Sequence, residues 1–393
     1  MTQQTFIYQA KRTPQASLMG DFSKLPAPQL GAVALQAAMV EGKVSPDAIE
    51  GVFMGCVLSA GQGQAPARQA AKIAGVPLAV ETLLINKVCG SGLRTVMMAQ
   101  DMIQAGVGDL YLAGGMENMS RAPHLLPTGR TGMKFGHSHI VDHMALDGLE
   151  DAYEQGTAMG VFAERTAAKD DISREQQDVF AIASVRRAHE ATAAGHFAAE
   201  MTPVTLQERG KARLVSTDRL PPLEKLGKIH DLPAVFVKTG TVTAANSSSI
   251  SDGAAALLVG SETAGKKHQL TPMARIVGAA AHGQEAAWFT TAPVGAIQKL
   301  CQKIGWSIGD VDLFEINEAF AVVPLAAMKD LNISHEKVNI WGGACALGHP
   351  LGASGARILV TLVHALRATK GKKGIAAICI GGGEALALAV ECL

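Results

Sequence analysis

No sign of charge prevails in this chain, whose 393 residues carry 35 basic and 35 acidic side chains. A nucleic-acid scaffold or a polybasic membrane binder needs surplus positive charge to recruit phosphate groups, so both classes are excluded and any basic site has to be local. Cysteine is sparse as well. Cys56, Cys89, Cys301, Cys345, Cys379 and Cys392 form no CxxC pair and no even spacing, which argues against a zinc ribbon or a disulfide framework and fits a reducing compartment. The amino terminus has no apolar stretch after its charges and does not read as a secretory signal. The most apolar segment, residues 374–393, is interrupted by Glu384, Glu391 and three consecutive glycines and cannot span a bilayer. A cytoplasmic location is expected, with an organelle lumen as the alternative.

What is present is a hydrophobic content of 48% and 42 glycines, the mark of a packed chain with many tight turns rather than of disorder or a collagen repeat. At roughly 150 residues per domain the length suggests two or three units. Two distant stretches read alike. Ser91-Gly92-Leu93-Arg94 opens an apolar helical run to about Ala105, followed by a strand at Leu110–Ala113 and then Gly114-Gly115. Ser354-Gly355-Ala356-Arg357 opens a run to about Leu366, followed by a strand at Ile375–Ile380 and then Gly381-Gly382-Gly383. This pattern indicates a duplicated α/β unit. Both helices are apolar on every face, which predicts that they lie buried between two sheets, giving α/β/α/β/α layers.

Residues 121–247 differ in character, with clustered prolines, histidines and charges, and read as an inserted loop domain that covers something. The expected division is a front core half at 1–120 plus 248–270, the insert at 121–247, and a rear core half at 271–393. Within the insert, Ser173 three residues before Gln176 predicts a capping box for a helix over 175–190. Arg130, Lys134, His137, His139 and His143 form a cationic patch that reads equally as a solvated loop. His137, His139 and His143 have a spacing that could supply metal ligands, but no cysteine or carboxylate pattern completes a site, so no metal is assigned.

Cys89 precedes Gly90-Ser91-Gly92 and the first buried helix, so its sulfur should sit at a helix amino terminus, where orphan N–H groups and the dipole lower a thiol pKa. The plainer alternative is a small buried apolar cysteine. His349 closes a glycine-rich run before the second buried helix, where it would face Cys89 across a pseudo-twofold axis and activate it; a structural histidine in a turn is the alternative. Cys379 ends the strand before the triple glycine, whose N–H groups could line an oxyanion hole. Two thiols and an imidazole suggest one cysteine that carries an acyl group and another that moves protons. Asn317 follows a strand over 311–316, either as a helix cap or as an amide that orients water or holds a developing negative oxygen.

Val88-Cys89-Gly90-Ser91-Gly92, Asn317-Glu318-Ala319-Phe320, the run from Gly342-Gly343 through Gly348-His349-Pro350 to Gly352-Ala353-Ser354-Gly355, and Cys379-Ile380-Gly381-Gly382-Gly383 resemble, in order, the four catalytic blocks of the thiolase family of acetyl-CoA C-acyltransferases. Gly114-Gly115-Met116-Glu117-Asn118-Met119-Ser120 and Gly240-Thr241-Val242-Thr243-Ala244-Ala245-Asn246 extend the likeness over essentially the whole chain. The resemblance implies a duplicated five-layered fold with an inserted domain that binds coenzyme A. It implies that Cys89 takes the acyl group as a thioester, that His349 activates it, and that Cys379 deprotonates the α-carbon of acetyl-CoA. Asn317, through a water, and His349 would hold the enolate oxygen, and the N–H groups of Cys89 and Gly381 the thioester oxygen. Leu149, Met159, Arg219, Ser248 and Phe320 would contact coenzyme A, which is a substrate, with no permanently bound cofactor.

Reversible thiolysis of 3-oxoacyl-CoA, or Claisen condensation in reverse, is therefore expected, in a homodimer or homotetramer. The flank of Arg219, Ser216-Thr217-Asp218-Arg219-Leu220-Pro221, departs from the family pattern, as do Ala158, Trp341 and Glu384-Ala385. Glu384 would raise the Cys379 pKa if it pointed inward and is expected to point away. Two rival readings are a ketosynthase of the same fold, which normally uses a histidine pair and is opposed by Cys379, and a catalytically silent acyl-CoA or lipid carrier.

Overall fold

The computed structural model describes residues 3–208 and 210–393. Nine strands build the main sheet: β1 (Thr5–Arg12), β2 (Gly51–Gly55), β3 (Glu81–Ile85), β4 (Leu110–Asn118), β5 (Ser251–Ser261), β6 (Ala274–Gly283), β7 (Leu313–Ile316), β8 (Lys373–Ile380) and β9 (Glu384–Cys392). A short tenth strand, Ala16–Ser17, pairs with β5. The helices that shape the site are α1 (Ala27–Glu41), α2 (Ser91–Gln104), α3 (Met159–Lys169), α4 (Arg174–Ala193), α5 (Ala292–Ile304), α6 (Val322–Leu331) and α7 (Leu351–Thr369).

The strand order is β7-β8-β9-β6-β1-β5-β4-β2-β3. Its front part, β3-β2-β4-β5-β1, is matched in the rear by β7-β8-β9-β6, with the outermost rear strand reduced to one parallel bridge between Phe314 and Val338. The parts meet where Thr5–Ile7 of β1 pair antiparallel with Ala274–Ile276 of β6. Each half keeps the same mixture, with β2 parallel to β3 and β4, and β7 parallel to β8. The expected duplication is thus visible in the hydrogen-bonding pattern, although the two sheets are joined along one seam.

Helix α7 packs on β4 and β5 of the front half and on β7 and β8 of the rear, while α1 covers the far face of the front strands and α5 that of the rear strands. Five layers result. Every residue of α7 from Leu351 to Leu366 is buried, because neither of the flanking layers leaves it a wet face. Side chains such as Ile358, Leu359, Leu362 and Leu366 each contribute about 1.5–3 kcal/mol by leaving water.

Helix α2 departs from the expectation. Arg94, Met98 and Met102 are half-buried and Asp101 is exposed, so one stripe of α2 is left open and only its other faces meet both halves. The strand after it is also longer than expected and runs through Gly114 and Gly115. These glycines are strand residues because a Cβ on Gly115 would lie 1.9 Å from the Gly352 carbonyl oxygen of α7, and one on Gly114 2.1 Å from the Ala255 carbonyl oxygen. The close approach of α7 to the front sheet requires Gly115, and the close approach of β5 requires Gly114.

Between β4 and β5 the chain leaves the main sheet and forms α3, α4 and the ribbon of Val204–Glu208 with Lys211–Val215. The capping box of α4 is present: Ser173 Oγ accepts from the Gln176 N–H at 3.2 Å, and Gln176 Oε1 accepts from the Ser173 N–H at 2.7 Å. Trp341 is buried against this region, stacked on His196 at 5.0 Å and edge-on to Phe197 at 5.8 Å. His137 and His139 lie in an exposed loop, whereas His143 is buried, with its Nδ1 on Asp147 and its Nε2 accepting from the Ala60 N–H.

Candidate active site

Helices α2 and α7 cross at their amino-terminal turns. A Cβ on Gly92 would meet the Gly352 carbonyl oxygen and the Ala356 nitrogen at 2.8 Å, and one on Gly355 the Leu93 nitrogen at 2.5 Å. Cys89 and His349 each stand three residues before one of the touching glycines Gly92 and Gly352. The crossing therefore brings the start of the front helix and the start of the rear helix together.

The turn that presents Cys89 is strained. Val88 has φ +47, a left-handed conformation that a β-branched side chain adopts at a cost of about 1–3 kcal/mol. It is held by Asn86 Oδ1, which accepts from the Val88 N–H at 2.9 Å, and by Ser91 Oγ, which accepts from the Lys87 N–H at 2.8 Å and donates to the Val88 carbonyl at 2.6 Å. Val88 opens the first family block, but its strain is not legible in the sequence, because the dihedral is a property of the folded turn.

The Cys89 sulfur is faced by the backbone N–H groups of Gly381 and of Cys89 itself. The expected lowering of its pKa does not occur. Burial pushes the thiol up to about 11, outweighing both N–H groups, because a thiolate cut off from water loses more than those dipoles return. Cys379, wholly buried at the end of β8, is pushed up by burial and then by the neighbouring Cys89 sulfur. The two thiols are thus brought within electrostatic reach of each other.

His349 is buried, and its backbone N–H donates to the Ser249 carbonyl at 3.0 Å. Its ring Nδ1 lies 2.6 Å from Ser354 Oγ. Ser354 spends its own proton on the Pro350 carbonyl at 2.9 Å, so it can only accept from the ring, and Nδ1 must carry the hydrogen. Nε2 is left with a free lone pair and has no partner among the described residues. Burial first, and Arg357 second, bring the imidazole down to about 3, so the ring is an uncharged base at neutral pH.

Asn317 follows β7 at its carboxyl end. Its backbone N–H donates to the Ala377 carbonyl at 2.9 Å, which sets it beside the end of β8 that carries Cys379. It is no helix cap, since α6 begins only at Val322 and both polar atoms of its fully buried amide lack partners among the described residues. A single segment ties these parts together: the Ser248 N–H donates to the Ala319 carbonyl, and Ser249 accepts from His349. Three orphaned atoms, two of Asn317 and one of His349, would each cost about 1–3 kcal/mol if nothing ever completed them. Each is open to a polar guest.

Met159 lines the same place, its sulfur 3.3 Å from where a Cβ of Gly381 would stand. The bridge between Glu150 and Ala158 puts Leu149 beside it, and Gly148 abuts Leu351 and Leu58. Phe320 is bridged to Ser247 and packs edge-on against Phe236 at 5.9 Å. Phe236 was missed by the sequence reading; its ring lies on Gly160, where any Cβ would meet it at 2.1 Å. Arg219 stands apart from this apolar group, bonded through its N–H to the Gln15 carbonyl and lining a cleft of about 430 Å³ with Lys24 and Arg213. Glu384 points outward to pair with Lys87. Glu117, also unassigned from sequence, is a buried carboxylate that accepts from the N–H groups of Val57, Leu58 and Gly352 and so pins the start of α7 to the front half.

Residues 5–263 match the family model of the thiolase N-terminal domain and residues 270–392 that of the thiolase C-terminal domain. The chain belongs to the thiolase family. It is 46% identical to an acetyl-CoA acetyltransferase of Cupriavidus necator, with 98% of each chain covered, and 44% identical to a cytosolic acetyl-CoA acetyltransferase of Mus musculus, with 98% of this chain and 97% of that relative covered. Among solved structures, the Bacillus anthracis acetyl-CoA acetyltransferase superposes with TM-score 0.97 at 37% identity, covering 100% of this chain and 99% of that one. The human mitochondrial 3-ketoacyl-CoA thiolase does so with TM-score 0.96 at 38% identity, covering 100% of both. As a thiolase this chain is an acyltransferase, and neither the silent-carrier nor the ketosynthase reading is favoured. Among the described residues no helix is long and apolar enough to cross a membrane.

Proposed function

We propose that this thiolase exchanges acyl groups between coenzyme A thioesters through an acyl-enzyme on Cys89, cleaving 3-oxoacyl-CoA with CoA or condensing acyl-CoA with acetyl-CoA. The convergence of two thiols with an uncharged imidazole lone pair and an unbonded amide carries this reading. In the first step Nε2 of His349 takes the proton of Cys89 as the sulfur attacks the thioester carbonyl, since a thiol held near 11 needs a base at hand. The N–H groups of Cys89 and Gly381 hold the oxyanion. The proton then passes to the departing CoA sulfur.

In the second step Cys379 gives its thiol proton to Nε2 of His349 and, as the thiolate, takes an α-proton from acetyl-CoA; the enolate oxygen is held by the Nε2–H so formed and, through a water, by Asn317. The enolate carbon attacks the acyl group on Cys89, and the cysteine sulfur leaves and takes the proton back from His349, which restores both thiols and the neutral imidazole. The pantetheine arm would run along Leu149, Met159, Ser248 and Phe320, with Phe236 added to that wall, and Arg219 would meet the nucleotide end. Coenzyme A enters as substrate and no permanent cofactor is required by these steps. The organisation consistent with this chemistry is a core of 1–120 with 248–270 and of 271–393, an insert at 121–247, assembly as a homodimer or homotetramer, and a cytoplasmic location.

Incubation with acetyl-CoA followed by intact mass spectrometry tests the roles. Wild type gains one acetyl group and Cys89→Ala none, while Cys379→Ala is acetylated but does not form acetoacetyl-CoA. Normal condensation by Cys379→Ala would remove the proton-shuttle role. Comparing cleavage of acetoacetyl-CoA with that of longer 3-oxoacyl-CoA substrates then defines chain length.

A further inference from the structure

The amide of Asn317 bonds to nothing among the described residues. A side chain without bonds of its own is aimed by its backbone and by whatever fixes that backbone. The residues on either side of Asn317 are both held by one side chain that the steps above leave unused, that of Asn339. Its Oδ1 accepts from the Ile316 N–H at 2.8 Å, and its Nδ2 donates to the Ile316 carbonyl and to Oε1 of Glu318, each at 2.8 Å. Asn339 is buried and comes alongside β7 just after the bridge of Val338 to Phe314, its own N–H donating to the Phe314 carbonyl at 2.9 Å. Its φ of +48 is left-handed, a conformation that asparagine adopts more readily than most residues. Glu318 is anchored in turn, because its Oε2 accepts from Ser184 Oγ of α4 at 2.7 Å and from the Cys345 N–H at 3.0 Å. A buried polar frame thus encloses Asn317 while leaving its amide open.

We propose that Asn339 is a positioning residue for the second step: its amide fixes the backbone on both sides of Asn317 and so the place from which the Asn317 amide holds the water on the enolate oxygen. The inference rests on the role given above to Asn317. Both hydrogens of the Asn339 amide are spent on Ile316 and Glu318, which leaves none for a substrate. The first step draws on other supports. The thioester oxygen is held by the N–H groups of Cys89 and Gly381, and His349 is fixed by the Ser249 carbonyl and Ser354. Loss of Asn339 also leaves Glu318 on Ser184 and on the Cys345 N–H, so the run that leads to His349 keeps its anchor. A shift of about 1 Å in a positioned group can cost on the order of a hundredfold in rate, and here that cost falls on the enolate alone.

Single-turnover rates of the two steps test this. Acetylation by acetyl-CoA is followed by intact mass, and condensation as the acetoacetyl-CoA formed when acetylated enzyme, freed of excess ligand, meets fresh acetyl-CoA. Asn339→Gly, which suits the left-handed backbone, should lose about thirtyfold or more in condensation and less than about threefold in acetylation. Asn317→Ala should show the same selectivity. A merely structural role predicts equal losses in the two steps or none in either, and both results overturn the inference. Should Asn339→Gly not fold, Asn339→Asp carries the same comparison. It keeps the size and the acceptor for the Ile316 N–H, but its second oxygen has at most one hydrogen for the two acceptors it faces. Its condensation should fall about fivefold or more with acetylation again within about threefold of wild type. A wild type that takes no acetyl group, or an Asn317→Ala variant that condenses at the wild-type rate, refutes the site roles and the inference with them. Selective loss in Asn317→Ala beside unselective or absent loss in the Asn339 variants refutes the inference alone.

Discussion

Replacing Ser354 by alanine isolates the most specific claim about the base. The hydroxyl is fully buried, accepts from Nδ1 of His349 at 2.6 Å and donates to the Pro350 carbonyl at 2.9 Å. Without it, an Nδ1–H would face no acceptor, which costs about 1–3 kcal/mol for a buried donor. Losing that acceptor removes what holds the proton on Nδ1, and the proton can move to Nε2. That tautomer has no lone pair to offer Cys89. A penalty of about 2 kcal/mol lowers the population of the competent tautomer about thirtyfold, and single-turnover acetylation should slow by that factor at pH 7. The assay is the rate of acetyl gain by intact mass, with Ser354→Thr as the variant that keeps a hydroxyl and recovers most of the rate. If Ser354→Ala acetylates within about twofold of wild type while its fold is intact, the tautomer assignment is wrong.

Two further outcomes are expected of the same protein. The lowered imidazole, about 3, is a base at any higher pH, and the raised Cys89 thiol, about 11, keeps its proton at any lower pH. Both are in the required state between these limits, so kcat/KM for acetyl transfer should show no break between about pH 5 and pH 9; a break near neutrality would mean that at least one of the two shifts is not as assigned. Gly115→Ala places a methyl group 1.9 Å from the Gly352 carbonyl and forces α7 away from β4. Denaturant unfolding should then show a loss of about 3 kcal/mol or more, together with slower acetylation because His349 moves with the helix; a stability within about 1 kcal/mol of wild type would contradict the packing described.

Much of the architecture was legible because it was written twice. Two helix-strand units with matched glycine ends imply two halves, and a helix apolar on every face implies layers on both sides, as α7 bears out from Leu351 to Leu366. The same reasoning over-reached for α2, whose apolar run contains Arg94 and Asp101 on the one stripe that no second layer covers. Cys89, His349 and Cys379 stood out because reactive side chains beside glycines are rarely mere filling, and Asn317 because an uncharged amide follows a strand end. Phe236 did not, since its role arises from lying on Gly160 and against Phe320, neither of which is near it in the chain.

The sequence by itself determined which residues have reactive chemistry and that they end corresponding elements of a repeated unit, since both depend only on residue type and local spacing. Only the tertiary structure decided their state. The pKa of Cys89 rose where helix reasoning expected it to fall, because desolvation is set by everything packed around the sulfur. The free lone pair on His349 depends on a hydroxyl that is committed to the Pro350 carbonyl, and the strain at Val88 on two helices crossing over glycine. Burial, crossing angle and the direction of a proton are properties of residues brought together from distant parts of the chain, and no local stretch contains them.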